Sequence, residues 1–202
     1  MGVLADHQII DLCENHAMIT PFERKSVKSL QSPVTGEHGD TMSWGASSYG
    51  YDIRLSSKEL KMFKNEPDRE IDPRRMTADC YYDPEIKFCE DGMPYVLMPP
   101  NSGLLGHTPE YFKMPRDVLC ICTSKSTYAR AFLSVLVTPL EPSWEGNLVV
   151  EIVNHTGSSA RVYLDCGIAQ LFFLRAESEC KTSYADRGGK YQKQVGTQDA
   201  IV

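Results

Sequence analysis

The sequence predicts a mainly β domain, a barrel or jelly-roll-like core with a short helix near its start. Three observations carry this. Turn signals recur between short apolar runs through the second half of the chain. Around Tyr51 the pattern has period two, with Tyr51, Ile53 and Leu55 alternating with Asp52 and Arg54. A chain of 202 residues, 42% of them hydrophobic, suits one soluble globular domain with a sizeable core and an appended arm.

The elements follow in order. Asp6 is placed to cap a short helix running through about Asn15, with Ile9, Ile10, Leu12 and Cys13 on its apolar side. "SPVTGEHGD" (Ser32 to Asp40) reads as a polar loop. From Trp44 onward the signals are mostly β, punctuated by Gly45 and Gly50. The stretch from Asn65 to Met93 is acidic and carries Pro67, Pro73 and Pro84, so it reads as a long irregular excursion with room for a short helix. Beyond it, "VLCIC", "FLSVLVT", "LVVEIV", "ARVYL" and "AQLFFL" read as short strands. The intervening turns are "PPNSG", "PLEPSWEG", "NHTGSS" and "DCG", a spacing that favours an all-β core over βαβ units. From Thr182 onward the chain is polar, lacks a core-forming pattern and reads as a mobile arm.

One strand carries an anomaly. In "NLVVEIVN" (Asn147 to Asn154), Leu148, Val150 and Ile152 point one way, and Val149, Glu151 and Val153 the other. Both faces are largely apolar, so the strand is expected to be covered on both sides. A carboxylate buried there must find partners or take up a proton. Glu151 is then either a structural acid, paired with an Arg or set at the mouth of the sheet, or a catalytic acid/base.

Charge and cysteine usage bound the function. A net charge of −6 and a pI near 5.4 argue against general nucleic-acid binding, though a local basic pocket would suffice for a small anion. The seven cysteines are odd in number and show no CxxC spacing. Cys120 and Cys122 share a strand face, which favours core packing over metal binding. No secretory h-region follows Met1 and no apolar run could span a bilayer, so reduced thiols and a cytoplasmic setting are expected, with no membrane partner. The sequon at Asn154-His155-Thr156 therefore reads as chance. None of the five histidines begins H-x-E, and no P-C-x-x-C, H-E-x-x-H or Walker A pattern occurs. A zinc site or a catalytic metal held by side chains is not expected.

Two further segments carry chemistry. In "SKSTYAR" (Ser124 to Arg130), Ser124 or Ser126 could cap a single helical turn, and Ser126 and Arg130 share a face. With Lys125 and Arg130 this makes either a phosphate seat or a solvated turn. In the tail, "YADRGGKYQKQ" (Tyr184 to Gln194) sets Gly188-Gly189 beside Arg187 and Lys190. It suits folding over a nucleotide, or else is a disordered basic tail.

"KSTYAR", "VTPLEPSWEG", "LVVEIVN", "GIAQLFF" and "SYADRGGKYQKQ" occur in one order, with "SSYGYDIRLS" near the front. In these motifs the chain resembles the dCTP deaminase family of the dCTP deaminase/dUTPase superfamily, least so between Asn65 and Met93. The resemblance implies a distorted, dUTPase-like β-barrel over a single domain, residues 1–202, with residues 182–202 as a C-terminal lid. It implies a homotrimer with active sites between subunits and hydrolytic deamination of dCTP to dUTP and ammonia. Mg2+ would accompany the triphosphate and take no part in the chemical step.

By position, Glu151 matches the catalytic glutamate, and Ser126 and Arg130 match residues that position the water and the reacting base. Lys125, Ser126, Thr127 and Arg130 match a loop that meets the phosphates from a neighbouring subunit. The backbone of Val149, Val150 and Glu151 matches the segment along the pyrimidine. Gln170 matches a glutamine of the nucleotide site, and Tyr184, Lys190 and Gln194 match the lid. A strand carbonyl near Val137 is expected to help hold the water, and Glu141 to lie near the sugar.

The chain also departs from the pattern. Lys125 stands where many members have Arg, which keeps the charge but loses the bidentate fork. Thr138-Pro139-Leu140-Glu141 replaces His-Arg-Ile-Asp, and Ala131 to Leu136 differs slightly from the usual apolar stretch. The alternatives are a dUTPase, a bifunctional enzyme giving dUMP and diphosphate, and a trimer that binds nucleotide without turnover. Inhibition by dTTP is left open by the resemblance.

Overall fold

The computed structural model describes residues 2–201, so Met1 and Val202, the ends of the expected domain, lie outside the described residues. The strands are β1 (Gly2–Val3), β2 (Ile19–Thr20), β3 (Val27–Gln31), β4 (His38–Ser47), β5 (Gly50–Arg54), β6 (Lys61–Phe63), β7 (Tyr81–Tyr82) and β8 (Ile86–Phe88). They continue with β9 (Pro94–Met98), β10 (Gly103–Lys113), β11 (Val118–Ser124), β12 (Leu133–Leu136), β13 (Glu145–Asn154), β14 (Ala160–Tyr163) and β15 (Gly167–Arg175). Helix α1 (Asp6–His16) precedes β2, and the single-turn α2 (Ser126–Arg130) separates β11 from β12.

The strands form three antiparallel sheets. In the first, β15 pairs β11 along one edge and both β1 and β5 along the other, and β4 and β3 follow β5. In the second, β13 lies between β12 and β10, and β10 pairs β6 and β2 on its far edge. The third is the small sheet β14-β9-β8. The pairing does not close into a ring, so the expected distorted barrel is a jelly-roll-like stack of open sheets. One apolar cluster joins them: Tyr51, Ile53, Leu171 and Phe173 from the first, Leu104, Val150 and Ile152 from the second, and Val96 and Val162 from the third.

The expected strands after Met93 all form, and the expected turns separate them. Cys120 and Cys122 share the inward face of β11, and all seven cysteines are free thiols. The sequon's Asn154 is fully buried, with its amide donating to Pro99 O (2.8 Å) and Ser158 O (2.9 Å), so it is unavailable in the folded chain.

Two local expectations need correction. The cap of α1 is Ala5 rather than Asp6, and the Gln8 side chain accepts from Ala5 N at 3.0 Å. The polar loop ends at Glu37, because His38 already pairs with Gln31 in the β3–β4 hairpin. The excursion carries its short helix as a 3-10 turn at Ala78–Cys80, followed by two short strands. No helix among the described residues is long and apolar enough to cross a membrane.

Candidate active site

The anomaly in β13 resolves into two unlike faces. Leu148, Val150 and Ile152 are buried in the core, while Val149, Glu151 and Val153 are half-buried. The strand is therefore not sealed on both sides within one chain. Its open face lines a cavity of about 370 Å3 whose walls include Val149 and Glu151. Glu151 pairs with Leu136 on β12 and with Leu105 on β10, and Leu105 in turn pairs with Lys61 on β6. Cross-strand partners share a face, so Leu136, Glu151, Leu105 and Lys61 form one row across the sheet.

The environment of Glu151 sets its proton affinity. Burial pushes its carboxyl up to about 7, against a lowering hydrogen bond to its own backbone. Among the described residues it has no ion-pair partner. Arg130, matched by position to a residue that orients the water and the reacting base, is exposed at the end of α2 and pairs with no carboxylate there.

A bulge in β10 faces the start of β13. The β10–β13 register shifts between His107 and Tyr111, at Pro109, where a proline can sit because it has no N–H to give the ladder. Asn147 donates to Thr108 O and Glu110 O, both at 3.1 Å, and Thr108 Oγ1 accepts from Leu148 N at 3.0 Å. Under the bulge the buried Glu110 pairs with Arg54 Nε at 2.8 Å. Burial pushes the Glu110 carboxyl up, and Arg54 opposes this.

The C-terminal arm supplies much of the rim. Its composition suggested mobility, yet here it takes one defined path over β13. Gln194 and Gly146 form a parallel bridge, Asn147 N donates to Gln194 O (2.9 Å), and Gln194 Nε2 donates to Asn147 O (2.7 Å). The Trp144 indole donates to Tyr191 O (2.9 Å), and Tyr184 N donates to Pro142 O (3.1 Å). Tyr184, Tyr191 and Gln194 all line the cavity. Glu141, on the turn between β12 and β13, also lines it and is ion-paired with Arg187, whose guanidinium stands 5.3 Å from the Tyr184 ring centroid. Lys190 is not among the cavity's lining residues and donates to Ile201 O at 3.3 Å.

The remaining predicted residues gather elsewhere. Lys125 Nζ pairs with Asp52 of β5, and Gln170 on β15 stands between Asp52 and Thr123 in register, its amide donating to Ser47 Oγ at 3.2 Å. Ser126, Thr127 and Arg130 are exposed on α2. Neither serine caps that turn. Its cap is Lys125 without a side-chain bond, and Ser124 Oγ instead accepts from Val135 N (2.9 Å) and donates to Val135 O (3.1 Å). Val137 packs against the core one residue before Thr138, a wall of the cavity, and Val150 faces inward. The site residues thus divide into a Glu151 group and a cationic group around α2.

Sequence reasoning missed Asn147, which ties the bulge to the arm, and also Tyr81, Pro73 and Met76, which bring the 65–93 excursion into the cavity wall. Asn147 had one usable signal, a polar residue opening an otherwise apolar strand. The excursion had none, because its contacts depend on the fold.

Known proteins resemble this chain in sequence and in fold. A family profile described as dCTP deaminase-like matches residues 3–176. The chain is 44% identical over 196 residues to a dCTP deaminase of Xanthomonas oryzae pv. oryzae (strain PXO99A) and to one of Rickettsia rickettsii (strain Sheila Smith), covering 97% of each pair. A crystal structure of 2'-deoxycytidine 5'-triphosphate deaminase from Agrobacterium tumefaciens superposes with a TM-score of 0.54 at 17% identity, over 85% of this chain and 47% of that longer one. That likeness establishes the shared fold, and the sequence matches establish more: this chain belongs to the dCTP deaminase-like family.

Proposed function

We propose that the chain hydrolyses dCTP to dUTP and ammonia, with Glu151 as general base and acid. The observation that carries the proposal is the half-buried Glu151 carboxyl on a cavity wall, held near pKa 7 with no cation beside it. An ordinary glutamate near 4.5 would be a poor proton shuttle at neutral pH, whereas one near 7 serves in both directions. Water adds to C4 of cytosine as Glu151 takes its proton and delivers it to N3. The second proton of that water then passes through Glu151 to the amino group. The C4–N bond breaks, ammonia leaves, and C4 becomes the carbonyl of dUTP. Ser126 and a carbonyl near Val137 hold the water.

The division of the site supports a homotrimer in which α2 of a second copy completes the cavity. Ser126, Thr127 and Arg130 are exposed beside Phe132 and Leu136, two apolar side chains that are 72% and 54% exposed. Phe132 holds a left-handed φ of 57°. Such an apolar margin around a cationic turn suits burial against another copy. Lys125, Thr127 and Arg130 would then meet the triphosphate, and Tyr184, Lys190 and Gln194 would close as a lid.

No cluster of three or more metal-ligating side chains occurs among the described residues. A magnesium ion that arrives on the triphosphate needs only one or two carboxylates. Asp52 Oδ1, buried without a partner beside Lys125, fits that part. The ion would neutralise phosphate charge. A cytoplasmic setting remains part of the proposal.

A dUTPase-type reaction would need the Glu141 carboxylate to activate water, and its ion pair with Arg187 disfavours that. The test is Glu151→Gln with dCTP and magnesium. The variant should bind dCTP and release no ammonia, while the parent yields dUTP. Near-normal turnover by the variant would sink the assignment, and dUMP from the parent would make the enzyme bifunctional.

A further inference from the structure

The tip of the arm reaches further than the lid motif. Residues 198–200 line the cavity, and three contacts bring them there. Thr197 Oγ1 lies 2.9 Å from the buried His107 Nδ1. Thr197 N donates to Glu59 Oε2 at 3.2 Å. Asp199 Oδ1 accepts from Lys61 Nζ at 2.7 Å. The first two hold the residue before the cavity; only the third holds a residue that lines it.

Lys61 is placed for this task by the strand register. It ends the row Leu136–Glu151–Leu105–Lys61, so its side chain rises on the same face as Glu151, two strands away. That side chain is 29% exposed, covered by the tip it holds. Without Lys61, Asp199 would be an unpaired carboxylate at the rim of a cavity that receives a triphosphate.

We propose that Lys61 is a positioning residue for the deamination: by holding Asp199 it latches the arm tip as a wall of the Glu151 cavity and so keeps the nucleotide enclosed. The proposal rests on the reading of the cavity as the dCTP site. Opening the latch leaves the tip held only at Ile201, by Lys190 Nζ (3.3 Å) and the Tyr191 hydroxyl (2.9 Å), so the tip loosens over Tyr191 and nucleotide escapes more readily while Glu151 and its neighbours stay in place.

The test uses the full chain as Lys61→Gln, Asp199→Asn and the exchange Lys61→Asp/Asp199→Lys. Chymotryptic cleavage after Tyr191 is followed without nucleotide, and KM and kcat are measured with dCTP and magnesium. A partly exposed ion pair of this kind predicts about two- to fivefold faster cleavage and a similar rise in KM for each single variant, with kcat little changed. The exchange should restore both. A merely structural loss would lower kcat or stability without rescue by the exchange. Unchanged cleavage in both single variants, or an exchange that cleaves as fast as they do, overturns the proposal. Cleavage is independent of turnover, so a parent that fails to deaminate dCTP would remove the substrate reading and leave the latch to be decided by proteolysis.

Discussion

Replacing Glu151 with Gln should stabilise the protein at alkaline pH and leave its stability at acid pH nearly unchanged. In the folded chain the carboxyl keeps its proton to about pH 7, and in the unfolded chain it loses it near 4.5. Between those values the native state binds more protons than the unfolded state, so stability falls as pH rises. The fall levels off above the folded pKa. At ~1.4 kcal/mol for each pH unit of that window, the ionisation of Glu151 costs about 3 kcal/mol by pH 8. Glutamine has nearly the same shape and no charge to desolvate, so the variant escapes this cost. The assay is urea unfolding of both proteins from pH 4.5 to 8.5, at one protein concentration so that any association contributes equally. The difference between them should be near zero at the acid end and grow to about 3 kcal/mol in favour of the variant. A difference that stays flat with pH would refute burial as the cause of the shift. A difference of the opposite sign would mean that a cation, Arg130 of a second copy first among candidates, holds Glu151 charged in the folded protein.

Two further substitutions probe what supports the cavity. Glu110→Ala leaves the Arg54 guanidinium without its buried partner and should cost about 3–5 kcal/mol, measured as a shift in the urea midpoint. Gly189→Ala would place a Cβ 2.0 Å from the Tyr184 ring, so the ring must leave its seat on the cavity wall. The expected loss is about 1–3 kcal/mol with a raised KM for dCTP, and an unchanged KM would show that Tyr184 does not enclose substrate.

What the sequence disclosed follows from how local each signal is. The strands from Val118 to Arg175 were legible because alternation and turn residues act within a few positions. Glu151 was legible because a charge among valines is anomalous wherever the strand lies. The longest strand, β10, was not legible, since Gly106, His107 and Pro109 interrupt its pattern. Those residues make sense only once the bulge is seen with Asn147 holding it open and Leu55 and Leu60 packed where a side chain on Gly106 would stand. The two-faced character of β13 was misread for a similar reason. Val149 is apolar, but it faces a cavity in this chain instead of a second layer. The ordered motifs placed Gln170 and Lys125 in one nucleotide site with Glu151, and only the fold shows Gln170 on a different sheet and Lys125 at the cap of α2.

The charges around the cavity make a consistent pattern. Three carboxylates line it: Glu141, Asp199 and Glu151. Glu141 is neutralised by Arg187 and Asp199 by Lys61, each cation reaching in from a different element. Glu151 has no such partner and meets its desolvation by keeping its proton to about pH 7. A chain with a net charge of −6 can in this way present a nearly neutral cavity to a polyanion. Were Arg187 or Lys61 placed beside Glu151 instead, that carboxyl would stay ionised and lose its use as an acid. Within one chain the cationic turn stands apart from Glu151, so in the proposed trimer the α2 that brings Ser126 to the water and fixed positive charge to the phosphates comes from a second copy.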